Sequence, residues 1–229
     1  LDIPKVEFVE TSWKNMLNDL KKGWDRFDII LGGVLKTPQR HELSLYGPTY
    51  MEERKVAVMR AKDASNPENH TLKGLNQLRL LVNQGGTNES TVDANGLKPI
   101  TRLDTNRDVY NKILANEADV MITDTTEADF VEKMTDGQLK AVPIDDLVQN
   151  SAEYTFLLSP QKPGLAKRIS SVLTDMLNDK TFKRVKDHIF SSRDYWKDLK
   201  MLPNMSGEPS ESSKAETKAS KDISFSAVA

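Results

Sequence analysis

The chain has 229 residues, 38% of them hydrophobic and 29% charged, with a net charge of −2; that is enough for one large domain or two small lobes with a polar surface, and it leaves no basic field to support a nucleic-acid partner. There is no cysteine, which excludes disulfides, thiol catalysis and thiolate metal sites. The three histidines, His41, His70 and His188, form no ligand-spaced pair, so no metal site is expected, and no apolar run approaches membrane-span length, so no direct membrane insertion is expected.

The chain opens at Leu1-Asp2-Ile3-Pro4, without an initiator Met or a signal peptide, and reads as a processed or truncated form. Lys5 to Glu10 alternates apolar and polar residues as a half-buried strand does. Ser12 is placed to cap a helix in which Trp13, Met16, Leu17 and Leu20 recur at helical spacing, with Gly23 at its end. Phe27 to Leu31 is a short apolar strand running into Gly32-Gly33. Strand, helix and strand together predict a β-α-β unit and a parallel sheet. Thr37 is a good N-cap and Pro38 suits the first helical position. Arg40 then falls in the first helical turn, where a cation opposes the helix dipole, a placement that suits an arginine with an anion to hold. The plainer reading is a solvated arginine on the surface.

Residues 45–50 read as a loop and Lys55 to Met59 as a new strand. From there to about Pro143 strand and helix alternate. The predicted strands are 78–82, 99–103, 120–123 and 139–142, and the helices lie near 72–77, 89–95, 108–116 and 127–134. Tyr154 to Leu158 is a last apolar strand. Helices follow over 165–178 and 181–190, then a short Trp-bearing end over 193–199. Residues 203–229, rich in Ser, Glu, Lys and Ala, read as a disordered tail.

Two stretches organise the chain. Asn83-Gln84-Gly85-Gly86-Thr87-Asn88-Glu89 follows an apolar strand. Its glycines, Gly86 among them, allow a tight turn and close approach of a ligand to amides at a helix start. Val120-Met121-Ile122-Thr123-Asp124-Thr125-Thr126-Glu127 is a second apolar strand ending in polar side chains at a helix start. Two such ends in one sheet make a small-molecule site. Local readings compete with this one. Asp124 and Glu127 also have the spacing of a capping box. Asn88 can be an N-cap, and Thr87 can simply satisfy the turn backbone. The tryptophans Trp13, Trp24 and Trp196 read as packing rather than ligand stacking.

Residues 27–50 (FDIILGGVLKTPQRHELSLYGPTY) resemble the signature of the family 3 periplasmic solute-binding proteins, two-lobed clamps for amino acids. The resemblance covers most of residues 5–200. It implies an α/β fold with two lobes, each a mainly parallel sheet flanked by helices. Two crossing strands, near 51–56 and 154–158, would join them. Lobe 1 would take residues 1–52 and 156–202, and lobe 2 residues 53–155. Lobe 1 would lack the strand and helix with which the family begins. Leu35 stands where many binders have serine, which removes one carboxylate contact.

VNQGGTNE and ADVMITDTTEA further resemble an enzyme branch, the periplasmic cyclohexadienyl dehydratases. These turn prephenate or arogenate into phenylpyruvate or phenylalanine, expelling hydroxide and carbon dioxide. The resemblance implies Arg40 on a ligand carboxylate, Thr87 and Asn88 as hydroxyl and amide contacts, and Asp124 on a ligand amine. It implies Glu127 as the general acid, with Asn88 beside it in the catalytic set. Lys36, in the same turn as Arg40, is a candidate for a second carboxylate. No cofactor is implied. The rival implication is a binding module that delivers an amino acid or other small carboxylate to a transporter permease. A third is that the shortened lobe 1 leaves neither activity. Either functional reading places the protein in the periplasm or otherwise outside the cell. A homo-oligomer is a further partner to consider.

Overall fold

The computed structural model describes residues 5–9, 11–104, 106–148 and 152–191. The Trp-bearing end and the predicted tail lie outside them. In chain order the elements are α1 Trp13–Lys21, β1 Ile29–Leu35, α2 Pro38–His41, β2 Leu45–Tyr46, β3 Met51–Glu53, β4 Lys55–Arg60, α3 Ala61–Ala64, a 3-10 turn Pro67–His70, α4 Leu72–Leu75, β5 Leu80–Asn83, α5 Thr87–Ala94, β6 Thr101–Leu103, α6 Asn106–Leu114, β7 Val120–Asp124, α7 Thr125–Met134, β8 Leu139–Val142, β9 Ala152–Leu158, α8 Pro163–Asn178 and α9 Thr181–Ser191. Among the described residues no helix is long and apolar enough to cross a membrane. Backbone contacts group the chain into two units. Unit 1 runs up to Glu53 and resumes after β8, and unit 2 begins at Arg54.

Unit 1 is built on β9. β1 pairs with it along one edge, while β2 and β3 pair with it in succession along the other, all antiparallel. The α/β class holds, but the parallel pairing expected from the β-α-β pattern does not form between these strands. The reason is that β9, from far along the chain, takes the place beside β1. Residues 5–9 are not a strand. They are exposed, Phe8 by 68%, and an alternating pattern makes a strand only where a ladder and a core face receive it. Gly32 and Gly33 do not end β1 but sit inside it, at φ +109° and +69°. The register against β9 shifts between Ile30 and Val34, which is a bulge that only glycine takes easily. The core of unit 1 is Met16, Leu20, Trp24, Ile30, Val34 and Leu157. Trp24 fills it with its ring and donates its indole N–H to the Leu43 carbonyl at 2.9 Å.

Unit 2 has a sheet in the order β6-β5-β7-β4-β8. β5 runs parallel to β6 and β7, and β4 runs antiparallel to β7 and β8. Strand alternation divides the core into two layers. Ala57, Met59, Leu80, Val82, Val120 and Ile122 face one layer with Val92 of α5. Val56, Val58, Leu81 and Met121 face the other with Ile113 of α6 and Val131 of α7. Helices cover both faces, which is why the strands read as unbroken apolar runs.

Candidate functional site

β5 leaves the sheet at Asn83 into the glycine turn. Gly85 takes φ +83°, and its N–H is accepted by the Glu89 carboxylate at 2.7 Å. Arg102 pairs with that same carboxylate, so the turn is tied to β6. Gly86 is the N-cap of α5 and brings no side chain to it. Thr87 and Asn88 therefore occupy the first helical turn. Asn88 is not a cap but a buried polar residue.

β7 ends at Asp124, the N-cap of α7, and its side chain makes no capping hydrogen bond. The capping-box geometry is not adopted. Asp124 instead faces Lys55, its direct partner across the antiparallel β4–β7 ladder, with 2.8 Å between Lys55 Nζ and Asp124 Oδ1. Lys55 is only 4% exposed and Asp124 8%. The Lys55 ammonium also donates to Thr87 Oγ1 at 3.0 Å and to Asn88 Oδ1. Asn88 Nδ2 in turn donates to Asn83 Oδ1 at 3.1 Å and lies 3.4 Å from Thr123 Oγ1. The Thr123 hydroxyl donates to Glu127 Oε2. Beyond it the Tyr110 phenol is fully buried. Burial first, and the Glu127 charge second, push its ionisation well above the usual range. A polar chain thus runs from Thr87 through Lys55, Asn88 and Thr123 to Glu127. It lies at the carboxyl ends of β5 and β7.

Unit 2 therefore gathers Thr87, Asn88 and Asp124 into direct contact through Lys55, and links Glu127 to them through Thr123. Gly86 lies at the adjoining helix start. Lys55 was missed by sequence reasoning, which read it only as the start of a strand. The available signal was a lysine heading an otherwise apolar strand, a position that needs an acidic partner if it is buried.

Arg40 and Lys36 belong to unit 1. The plainer reading of Arg40, a solvated surface arginine, does not hold. Its side chain is buried, Nη1 donates to the Leu35 carbonyl at 2.6 Å, and its guanidinium lies 5.5 Å from the Trp13 ring centre. Thr37 caps α2 as expected, accepting from the Arg40 N–H at 3.3 Å. Lys36 donates to Thr49 Oγ1 at 2.6 Å and pairs with Glu153. Tyr50 packs its ring against Tyr154, Phe156 and Phe182. Its ionisation is pushed up to about 12, mainly by burial.

The family described as bacterial extracellular solute-binding proteins, family 3, matches residues 3–192. No curated protein matches the chain by sequence. Solved structures resemble it over about four fifths of its length. The ancestral amino acid-binding protein AncCDT-1, a precursor of cyclohexadienyl dehydratase, is 22% identical with a TM-score of 0.69, over 81% of this chain and 78% of that one. AbpA, an amino acid ABC transporter substrate-binding protein from Streptococcus pneumoniae bound to L-arginine, is 14% identical with a TM-score of 0.72, over 82% and 77%. Another substrate-binding protein of an ABC uptake transporter from Streptococcus pneumoniae, with bound histidine, is 16% identical with a TM-score of 0.69, over 82% and 77%. At these identities the likeness is one of fold.

Proposed function

The chain belongs to family 3 of the bacterial extracellular solute-binding proteins, and from that premise we propose that it captures a small organic carboxylate outside the cytoplasmic membrane and delivers it to a transporter permease. The observation that carries this reading is the largely buried polar cluster of Lys55, Asn88 and Asp124 with Thr87 at its rim. It lies at the strand ends where α/β sheets take their ligands. Lys55, Asn88 and Asp124 are costly to bury and pair with one another there, which leaves the half-buried Thr87 and the start of α5 at the rim beside them. The helix start behind Gly86, which has no side chain capping it, suits a carboxylate. Thermal unfolding with a panel of amino acids, 2-oxo acids and dicarboxylates tests it. A solute present at about 100 times its Kd adds about 2.7 kcal/mol and raises Tm. An unmoved Tm across the panel would remove the proposal.

A second reading, a cyclohexadienyl dehydratase-like lyase acting on prephenate or arogenate, is favoured by one observation. Glu127 belongs to the same polar cluster as Asp124. An assay for phenylpyruvate from prephenate at mildly basic pH separates the two. Solute binding alone predicts no rate above the spontaneous one. Turnover that Glu127→Gln lowers by roughly 10²–10⁴-fold, with substrate still bound, would establish the lyase instead.

A further inference from the structure

The Lys55 ammonium donates to Thr87 Oγ1 and Asn88 Oδ1, and the Asp124 carboxylate stands beside it as an ion pair, Oδ1 at 2.8 Å. One of the three is anionic, and they come from the ends of two elements: the start of α5 supplies two and the end of β7 the third. This is a cage for a primary ammonium group, built from side chains, with Lys55, Asn88 and Asp124 buried and Thr87 at its half-buried rim. The chain fills the cage itself. Lys55 reaches it because β4 starts directly opposite the end of β7.

We infer that Lys55 is the specificity-determining residue of unit 2: it takes the ammonium cage from within, so the solute is a carboxylate without an ammonium group of its own. This rests on the solute-binding reading above. The physics is competition for the same three partners. A ligand ammonium would have to expel a tethered one already present at high effective concentration. It would also leave either itself or Lys55 buried without partners, a cost that disfavours it as a guest. A carboxylate without an ammonium meets no such conflict, because the Lys55–Asp124 pair is neutral and stays intact.

The test compares the unaltered chain with Lys55→Ala in two measurements. In thermal unfolding, methylammonium chloride at matched ionic strength raises the Tm of Lys55→Ala and leaves the unaltered chain unmoved, because the small cation refills the emptied cage. In calorimetry with α-amino acids and the 2-oxo acids of the same side chains, the unaltered chain prefers the 2-oxo acid by at least about tenfold, and Lys55→Ala shifts that preference toward the amino acid. If Lys55→Ala does not fold, Lys55→Gln keeps the stem and a hydrogen-bonding head without the charge, and its solute preference shifts the same way. An unaltered chain that binds an α-amino acid more tightly than its 2-oxo counterpart overturns the inference while leaving the solute-binding reading intact. Methylammonium rescue of Lys55→Ala with no solute bound by the unaltered chain upholds the filled cage and removes the solute-binding reading. Absence of both rescue and preference overturns the inference as well.

Discussion

Asp119 sits at the amino end of β7, on the sheet edge opposite the Lys55 cluster. Arg79 grips it with Nε at 2.8 Å, Nη2 at 2.7 Å and its own backbone N–H at 2.9 Å, and Arg60 adds a further contact. The Arg79 side chain foremost, then the Arg79 backbone N–H and Arg60, holds the Asp119 carboxyl well below the usual carboxylate range against the opposing effect of burial. A folded-state pKa lowered in this way contributes stability that is fully present above the unfolded value of about 3.9. That stability is lost as pH falls through the folded value. The urea midpoint of the unaltered chain therefore falls steeply below about pH 4, and Asp119→Asn, less stable at neutral pH, loses part of that slope. Equal slopes in the two chains would place the acid response elsewhere. Residue chemistry of this kind is partly readable in advance. Thr37 as a cap and Trp24 as a core residue follow from local pattern. The burial of Arg40 and Lys55 does not, because it depends on partners or a cover that the local chain lacks.

At the scale of elements, β1 shows how a local signal can be right in kind and wrong in consequence. Two glycines after an apolar run announce a backbone that leaves ordinary strand geometry, and both have positive φ. They make a bulge rather than a turn because β9 continues to pair beyond them, at Val34 and Leu35. Gly33, at φ +69°, lies in the left-handed region where a Cβ costs about 1–2 kcal/mol. Gly33→Ala lowers the stability of unit 1 by that amount in urea unfolding, and an unchanged midpoint would mean that the bulge relaxes without strain. The glycine turn after β5 is the opposite case. There the local reading holds, since strand end, turn and helix start are consecutive in the chain and Glu89 ties the turn from within it.

The whole molecule is divided unequally in sequence. Every residue of the two core layers of unit 2 lies between Val56 and Leu147, on one continuous stretch. Unit 1 needs β9 to join β1, β2 and β3, across the entire length of unit 2. A fragment of residues 54–150 is therefore expected to fold alone, with one cooperative urea transition followed by circular dichroism. The fragment of residues 1–53 has the edges of its sheet but not the central strand, and is expected to remain unfolded. A fragment 54–150 without a cooperative transition would show that unit 2 depends on unit 1 for its stability.

The sequence by itself determined the α/β class, the order of strands and helices through unit 2, and the two polar strand ends that carry Thr87, Asn88, Asp124 and Glu127. These follow from apolar period, turn glycines and helix starts, all set within a few residues. Only the tertiary structure decided which strands pair and what they bring together. It placed β9 beside β1, so that the first sheet is antiparallel, and it placed β4 against β7, so that Lys55 meets Asp124. Pairing of that kind is chosen by burial of whole faces against partners distant in the chain. A lysine's charge is therefore legible in the sequence, while the partners that hold it are not.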